Sequence, residues 1–114
     1  MPNRTVVLIA SDVLGRGDDE LGRALMLAAI KNLPKAAGGP PSAVLFMNAG
    51  VLLCCSGSHA LADLTALSEA GVRLLSCGTC LDWYEKSDDL AAGGASNMVE
   101  ILSEMNGAER VVKL

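Results

Sequence analysis

Residues 72–84 read VRLLSCGTCLDWY, an apolar run followed by two cysteines with two residues between them. The run from residue 72 to residue 76 is mostly apolar, which is typical of a strand buried inside a sheet. Gly71, just before the run, suits the end of a preceding helix. The stretch therefore predicts a buried strand that delivers Cys77 and Cys80 to the turn between that strand and a short helix extending to about Tyr84.

Strand and helix patterns alternate along the whole chain. Apolar or β-branched runs predict further strands at residues 5–10, 43–47, 90–92 and 110–114. Because such alternation is typical of parallel sheets, we expect an α/β fold with helices covering both faces of the sheet. At 114 residues, without a repeat or a linker, the chain is expected to form a single domain over residues 1–114.

Three longer segments have helical signals. The first runs from residue 18 and ends at Pro34, the second follows an N-cap at Ser58 and runs to residue 70, and the third follows an N-cap at Ser96. The apolar residues with helical spacing in these segments are Leu21, Leu25, Ala28, Leu33, Leu61, Leu64, Leu67, Met98, Ile101, Leu102 and Met105.

Composition excludes several classes of protein. The chain is 51% apolar, which is too much for intrinsic disorder, yet it lacks the about 18–20 uninterrupted apolar residues of a membrane span. A net charge of −4 and 3% aromatic residues disfavour nucleic acid as a partner. Without an export signal, the protein is expected to be cytoplasmic, with reduced cysteines. The apolar excess predicts a homo-oligomer.

The candidate site lies where the predicted strands end, because open parallel sheets form their sites outside the carboxyl ends of the strands. Three such ends deliver Ser11-Asp12, Asn48-Ala49-Gly50 and the turn that carries both cysteines. We expect the three turns to converge on one crevice if their strands are neighbours. The candidate binding residues are Asp12, Arg16, Asn48, Gly50, Gly78 and Thr79.

The two cysteines of the turn are the candidate catalytic residues. The thiolate is the nucleophilic form of cysteine, and backbone N–H groups at a helix N-terminus favour it. Cys77 is nearer the strand end, so it is expected to be the more activated thiol, with Cys80 cycling against it. An inert packed pair and a metal pair completed by Cys54, Cys55 or His59 are the open alternatives.

The remaining motifs have ordinary structural interpretations. Gly15-Arg16-Gly17 lacks the other positions of a nucleotide-binding loop, and acidic residues follow it, so no cofactor is expected. Cys54 and Cys55 suit buried small hydrophobic positions. Trp83 and Tyr84 suit packing or a contact between subunits, with the wall of a site as the alternative.

The segments TVVLIASDVLGRGDDELGRALM (residues 5–26), Asn48-Ala49-Gly50-Val51 and LSCGTCLDWY (residues 75–84) resemble the DsrE/DsrF-like sulfur-relay superfamily. Within it, the chain is most similar to the C-terminal domain of the YedF-type, sulfurtransferase-like selenium-metabolism proteins. The resemblance implies a three-layer α/β/α sandwich with a mainly parallel five-stranded sheet. It covers essentially the whole chain, although the TusA-like domain of the full-length selenium-associated proteins is not part of this sequence.

The resemblance also implies a function. In sulfur-relay members, a cysteine after the third strand accepts sulfur as a persulfide and hands it on, and Cys77 stands at that position with Cys80 as the second cysteine. We therefore expect a sulfur or selenium carrier without cofactor or metal, working with a TusA-like partner. The alternative is a non-catalytic oligomeric binding or regulatory module whose cysteines are structural.

Overall fold

The computed structural model describes residues 4–114 of the chain. Its strands are β1 (Thr5–Ile9), β2 (Ala43–Phe46), β3 (Arg73–Cys77), β4 (Gly94–Ser96) and β5 (Arg110–Lys113). Its α-helices are α1 (Asp19–Asn32), α2 (Leu61–Glu69), α3 (Gly78–Trp83) and α4 (Met98–Asn106), and two 3-10 segments span Leu33–Lys35 and Asn48–Cys54. The strands form one sheet in the order β4-β3-β2-β1-β5, and every neighbouring pair is parallel.

Helices lie on both faces of this sheet, which makes the fold a three-layer α/β/α sandwich. The connections through α1 and α2 step across the sheet in one direction, whereas α4 returns from β4 to β5 in the opposite direction. Because such crossovers are right-handed, α1 and α2 share one face and α4 covers the other. Arg73 of β3 accordingly forms ion pairs with Glu100 (3.5 Å) and Glu104 (2.6 Å) of α4. The predicted α/β fold is confirmed, with a wholly parallel sheet.

The core is centred on β2, whose four residues are all buried. β2 lies in the middle of the sheet, between β1 and β3, so both of its faces are covered. The largest fully buried side chains are Phe46, Ile9, Met26, Ile30, Leu45, Leu64, Leu67, Leu81, Ile101, Val6, Val44 and Val51. They come from both faces of the sheet, which fixes the position of the strand ends that carry the site.

Helix α1 is confirmed, but its buried side differs from its most obvious apolar residues. Gly22, Met26 and Ile30 are the buried residues, four apart, whereas Leu21 and Leu25 are exposed. Gly22 lies against the loop after β1, since a Cβ there would be 2.9 Å from the Val13 Cβ. This close approach sets which side of α1 faces the sheet. None of the helices within residues 4–114 combines the length and apolarity needed to cross a membrane.

The predicted edge strand at residues 90–92 is wrong. Leu90 instead forms an isolated antiparallel bridge with Cys55, and β4 begins at Gly94. Gly93 makes the turn between them with a φ of 71°, and a Cβ there would lie 2.5 Å from the Leu74 carbonyl oxygen. Gly93 therefore allows the chain to turn closely over β3, and Gly94 begins the strand that pairs with β3.

Two predicted helix caps are displaced by one or more residues. Ser58 does not cap α2, which begins after Ala60; its hydroxyl accepts the Ala60 N–H at 3.0 Å in the preceding turn. Asn97, not Ser96, caps α4, and its side-chain oxygen accepts the Glu100 N–H at 2.9 Å. Ser96 is instead the last residue of β4.

Candidate functional site

The carboxyl ends of β2 and β3 and the start of α4 line a cavity of about 380 Å³. β2 and β3 are neighbours in the sheet, so the residues that follow them meet at its carboxyl edge. The lining residues are Met47, Asn48, Thr79, Cys80, Trp83, Tyr84 and Met98. We call this cavity the thiol cleft, and all seven of its side chains are uncharged in their ordinary states at neutral pH.

Cys80 is the cysteine that lines the thiol cleft. It is the third residue of α3 and is only partly buried, unlike Cys54, Cys55 and Cys77. Its sulfur accepts a hydrogen bond from the backbone N–H of Asn48 at 3.0 Å. Burial raises the pKa of the Cys80 thiol and the neighbouring Cys77 thiol adds to this, while the Asn48 N–H acts in the opposite direction. The amide is therefore a donor placed to favour the thiolate.

Asn48 reaches Cys80 because its backbone has an unusual conformation. Its φ is 51°, in the left-handed region that asparagine tolerates better than most residues. The Tyr84 hydroxyl donates to the Asn48 side-chain oxygen at 3.2 Å. Tyr84 follows Cys80 by four residues, so both lie on the same side of the short helical segment. Asn48, Cys80 and Tyr84 thus form one contact network, which we call the amide clamp.

Cys77 occupies a different environment from the one expected. It is 3% exposed, belongs to the hydrophobic core and makes no side-chain capping bond to α3. The reason is that β3 continues through Cys77, and strand side chains stand roughly perpendicular to the sheet, not along the following helix. The backbone amide that contacts a cysteine sulfur at this edge therefore comes from Asn48 and reaches Cys80.

The other predicted binding residues do not all gather around Cys80. Thr79 lines the thiol cleft, whereas Arg16 lines a second cavity of about 690 Å³ at the ends of β1 and β5. Asp12 is not among the described residues that line either cavity. The single crevice expected from the strand ends is therefore divided into two.

Two of the predicted binding residues are glycines with a packing reason for being glycine. A Cβ on Gly50 would lie 2.3 Å from the Ile9 carbonyl oxygen, so the chain after β2 passes directly against the end of β1. A Cβ on Gly78 would lie 3.0 Å from the Ser96 carbonyl oxygen, which brings α3 close to the end of β4. Both glycines hold the walls of the site in place.

Cys54 and Cys55 are buried, as predicted for small hydrophobic positions. Burial raises the pKa of the Cys54 thiol to about 12, and burial also raises the pKa of Cys55, whose thiol donates to the Val51 carbonyl oxygen at 3.3 Å. Both thiols are therefore protonated at neutral pH. Within residues 4–114, no three histidine, cysteine, aspartate or glutamate side chains are grouped closely enough to hold a metal ion.

The sequence indicates two features of the site only in part, since it gives Tyr84 as an alternative site wall and Met98 only as a helix residue. Tyr84 is the residue whose hydroxyl fixes Asn48, and Met98 closes the cleft from the start of α4. The spacing of four residues from Cys80 to Tyr84 was a signal for the first. The contribution of Met98 depends on β4 lying next to β3, which no local pattern indicates.

Solved structures with a similar architecture include the following two proteins. The ychN protein from E. coli aligns with a TM-score of 0.72 at 19% identity, over 98% of this chain and 99% of that one. MTH1491, a protein of unknown function from Methanobacterium thermoautotrophicum, aligns with a TM-score of 0.72 at 22% identity, over the same shares. The chain has a DsrE-like fold. No family model matches the sequence, and no curated protein is significantly similar to it.

Proposed function

We propose that this protein is a sulfur carrier that accepts a sulfane sulfur on Cys80 within the thiol cleft. The observation that carries the proposal is the Cys80 sulfur in a cavity large enough for a donor, with the Asn48 N–H 3.0 Å away. The DsrE-like fold and the resemblance to sulfur-relay proteins support the same chemistry. Selenium would enter by the same route, as the resemblance to selenium-metabolism proteins implies.

The transfer requires no net oxidation. The Cys80 thiolate attacks the outer sulfur of a donor persulfide, a new sulfur–sulfur bond forms, and the donor's own sulfur–sulfur bond breaks. The donor leaves with the electron pair and takes up a proton as a thiol. An acceptor thiolate then attacks the outer sulfur on Cys80, and Cys80 returns as a thiolate.

Cys77 is proposed as the second reactive thiol of the same site. The sequence favoured it as the first acceptor, but its burial favours Cys80 as the atom that meets a donor. When Cys80 holds a persulfide, the Cys77 thiolate can attack the Cys80 sulfur. That step forms a Cys77–Cys80 disulfide and expels hydrosulfide, and an external dithiol is needed to reduce the disulfide again.

Mass spectrometry of the intact protein tests the assignment. After brief exposure to an alkyl persulfide, the wild-type chain should gain about 32 Da for one added sulfur. The adduct should be absent from Cys80→Ser and present in Cys77→Ser, and it should pass to an added protein thiol. An adduct lost only in Cys77→Ser would assign the first step to Cys77 instead, and no adduct in any form would reject the carrier function.

A second candidate function is an oligomeric binding or regulatory module with structural cysteines. The raised pKa of Cys80 and the burial of Cys54, Cys55 and Cys77 favour it, because such thiols react slowly at neutral pH. Exposed apolar side chains, among them Val99, Leu102 and Val111, offer contacts for a second copy or a TusA-like carrier. Slow alkylation together with no persulfide uptake would favour this module.

A further inference from the structure

We infer that the thiol cleft selects donors whose reacting sulfur is attached to an uncharged, apolar group, and that Trp83 determines this specificity. The inference rests on the proposed role of Cys80 as the reacting thiol and adds the chemical class of its substrate. It follows from three observations: the charge of the lining, the size of the cavity, and the exposure of Trp83.

The lining offers no counter-charge for an ionic donor. Its seven residues include two methionines, a tryptophan and a tyrosine, and none is a lysine, arginine, aspartate or glutamate. Arg16, the positively charged residue among the predicted binding residues, lines the other cavity. A donor such as thiosulfate, or the persulfide of a free amino acid, would lose hydration on entering the cleft without gaining an ion pair.

The cavity is much larger than a single transferred sulfur requires. Its volume of about 380 Å³ would hold about a dozen water molecules at about 30 Å³ each. That size is within the range of sites that bind small organic groups. The cleft therefore has room for the group that carries the sulfur as well as for the sulfur itself.

Trp83 supplies the surface that such a group would cover. It is 83% exposed, although it is the largest apolar side chain in the chain and lies beside Cys80 in the cleft. Met98, 47% exposed, faces the same cavity. An aromatic or branched aliphatic group would bury part of the tryptophan ring and contact methionine sulfur, which interacts favourably with aromatic rings.

Methanethiosulfonate reagents test this selectivity at Cys80. The Cys80 thiolate attacks the sulfenyl sulfur, the bond to the sulfonyl sulfur breaks, and methanesulfinate leaves with the electron pair. Benzyl, propyl, methyl, anionic sulfonatoethyl and cationic trimethylammonioethyl reagents differ only in the attached group. Rates are measured by intact mass and divided by the rates with 2-mercaptoethanol, with Cys80→Ser as the background.

The benzyl-to-methyl ratio should be at least about tenfold higher at Cys80 than with 2-mercaptoethanol, since burial of a ring favours binding. Both charged reagents should be slower than the propyl reagent after the same correction. Trp83→Ala should lower the benzyl-to-methyl ratio toward that of the free thiol, and Trp83→Phe should restore most of it. Leu21→Ala, which removes an exposed apolar side chain on α1 and outside the cleft, should leave the ratio unchanged.

An anionic reagent as fast as the propyl reagent would overturn the inference, and so would a benzyl preference that survives in Trp83→Ala. A peptide that carries the same thiosulfonate group on a cysteine next to a phenylalanine tests whether the donor is a protein or a small molecule. A rate above the benzyl reagent supports a protein-borne donor, and an equal rate supports a small apolar one. Because these reagents transfer no sulfane sulfur, their result is independent of the persulfide test of the carrier function.

Discussion

Substitution of Gly50 by alanine separates a packing role from a binding role for this residue. The ideal Cβ would lie 2.3 Å from the Ile9 carbonyl oxygen and 3.0 Å from the Ile9 carbonyl carbon. Ordinary contacts of a Cβ begin near 3.4 Å. The clash is with backbone at the end of a buried strand, so no flexible side chain can move aside to relieve it.

The cost follows from how far the chain must move. Relief of the clash requires a shift of about 1 Å between the ends of β1 and β2, at the centre of the sheet. Overpacking of a core costs about 1–3 kcal/mol and sometimes more, and a backbone clash belongs at the upper end of that range. We expect a loss of about 3 kcal/mol in the free energy of unfolding, which corresponds to a Tm about 12 °C lower at about 4 °C per kcal/mol.

Thermal unfolding followed by circular dichroism, with urea unfolding beside it, measures the effect. Gly94→Ala is the matched control, because a Cβ there meets no heavy atom within 4 Å and its φ is not positive. The control should unfold within about 2 °C of the wild type. A Gly50→Ala Tm equally close to the wild type would refute the packing argument. If that stable variant also failed to take up persulfide, Gly50 would be a binding residue after all.

Three further predictions concern the thiols and one helix cap. Alkylation of Cys80 by iodoacetamide should quicken about tenfold from pH 7 to pH 8, since burial raises the pKa of this thiol and only the thiolate reacts; a flat profile would contradict it. Burial raises the pKa of Cys54 to about 12 from 9.0, so the unfolded chain loses this proton first as pH rises. The fall in the free energy of unfolding between pH 8 and pH 10 should therefore be about 1.4 kcal/mol smaller in Cys54→Ala than in the wild type, because the other cysteines contribute alike to both. Asn97→Ala should cost about 1 kcal/mol in urea unfolding, because it removes the side-chain cap of α4.

Most of the fold could be predicted from local patterns, because each element is consistent with its own sequence. β1, β2 and β3 lie where apolar runs predict buried strands, and β5 lies where a final strand was predicted, although all four of its residues are exposed. The exception is β4, which consists of the three small residues Gly94–Ser96. Its first two residues are exposed and Ser96 is only partly buried. It is a strand because β3 offers it a pairing edge and Gly93 allows the turn, and neither is visible in the segment itself.

The sequence predicts part of the candidate site, namely Cys80, Asn48 and Thr79, with Trp83 and Tyr84 as an alternative wall. Local patterns predict activation of Cys77 by the amides of α3, within one strand-to-helix turn. In the structure, the donor to a sulfur comes from the chain after β2, 32 residues away from Cys80. That contact depends on β2 and β3 being adjacent, on the left-handed backbone of Asn48, and on Tyr84 fixing its side chain.

The amide clamp also explains why α3 can be short without weakening the site. A six-residue helix adds little dipole field, so the environment of Cys80 depends on one well-placed N–H more than on the helix. The same hydrogen bond ties the end of β2 to α3, and the Tyr84 hydroxyl closes a second connection between them. A donor that displaces the Asn48 N–H from sulfur would break the first of these two connections. The proposed sulfur loading on Cys80 would therefore act on a contact that holds α3 against the end of β2.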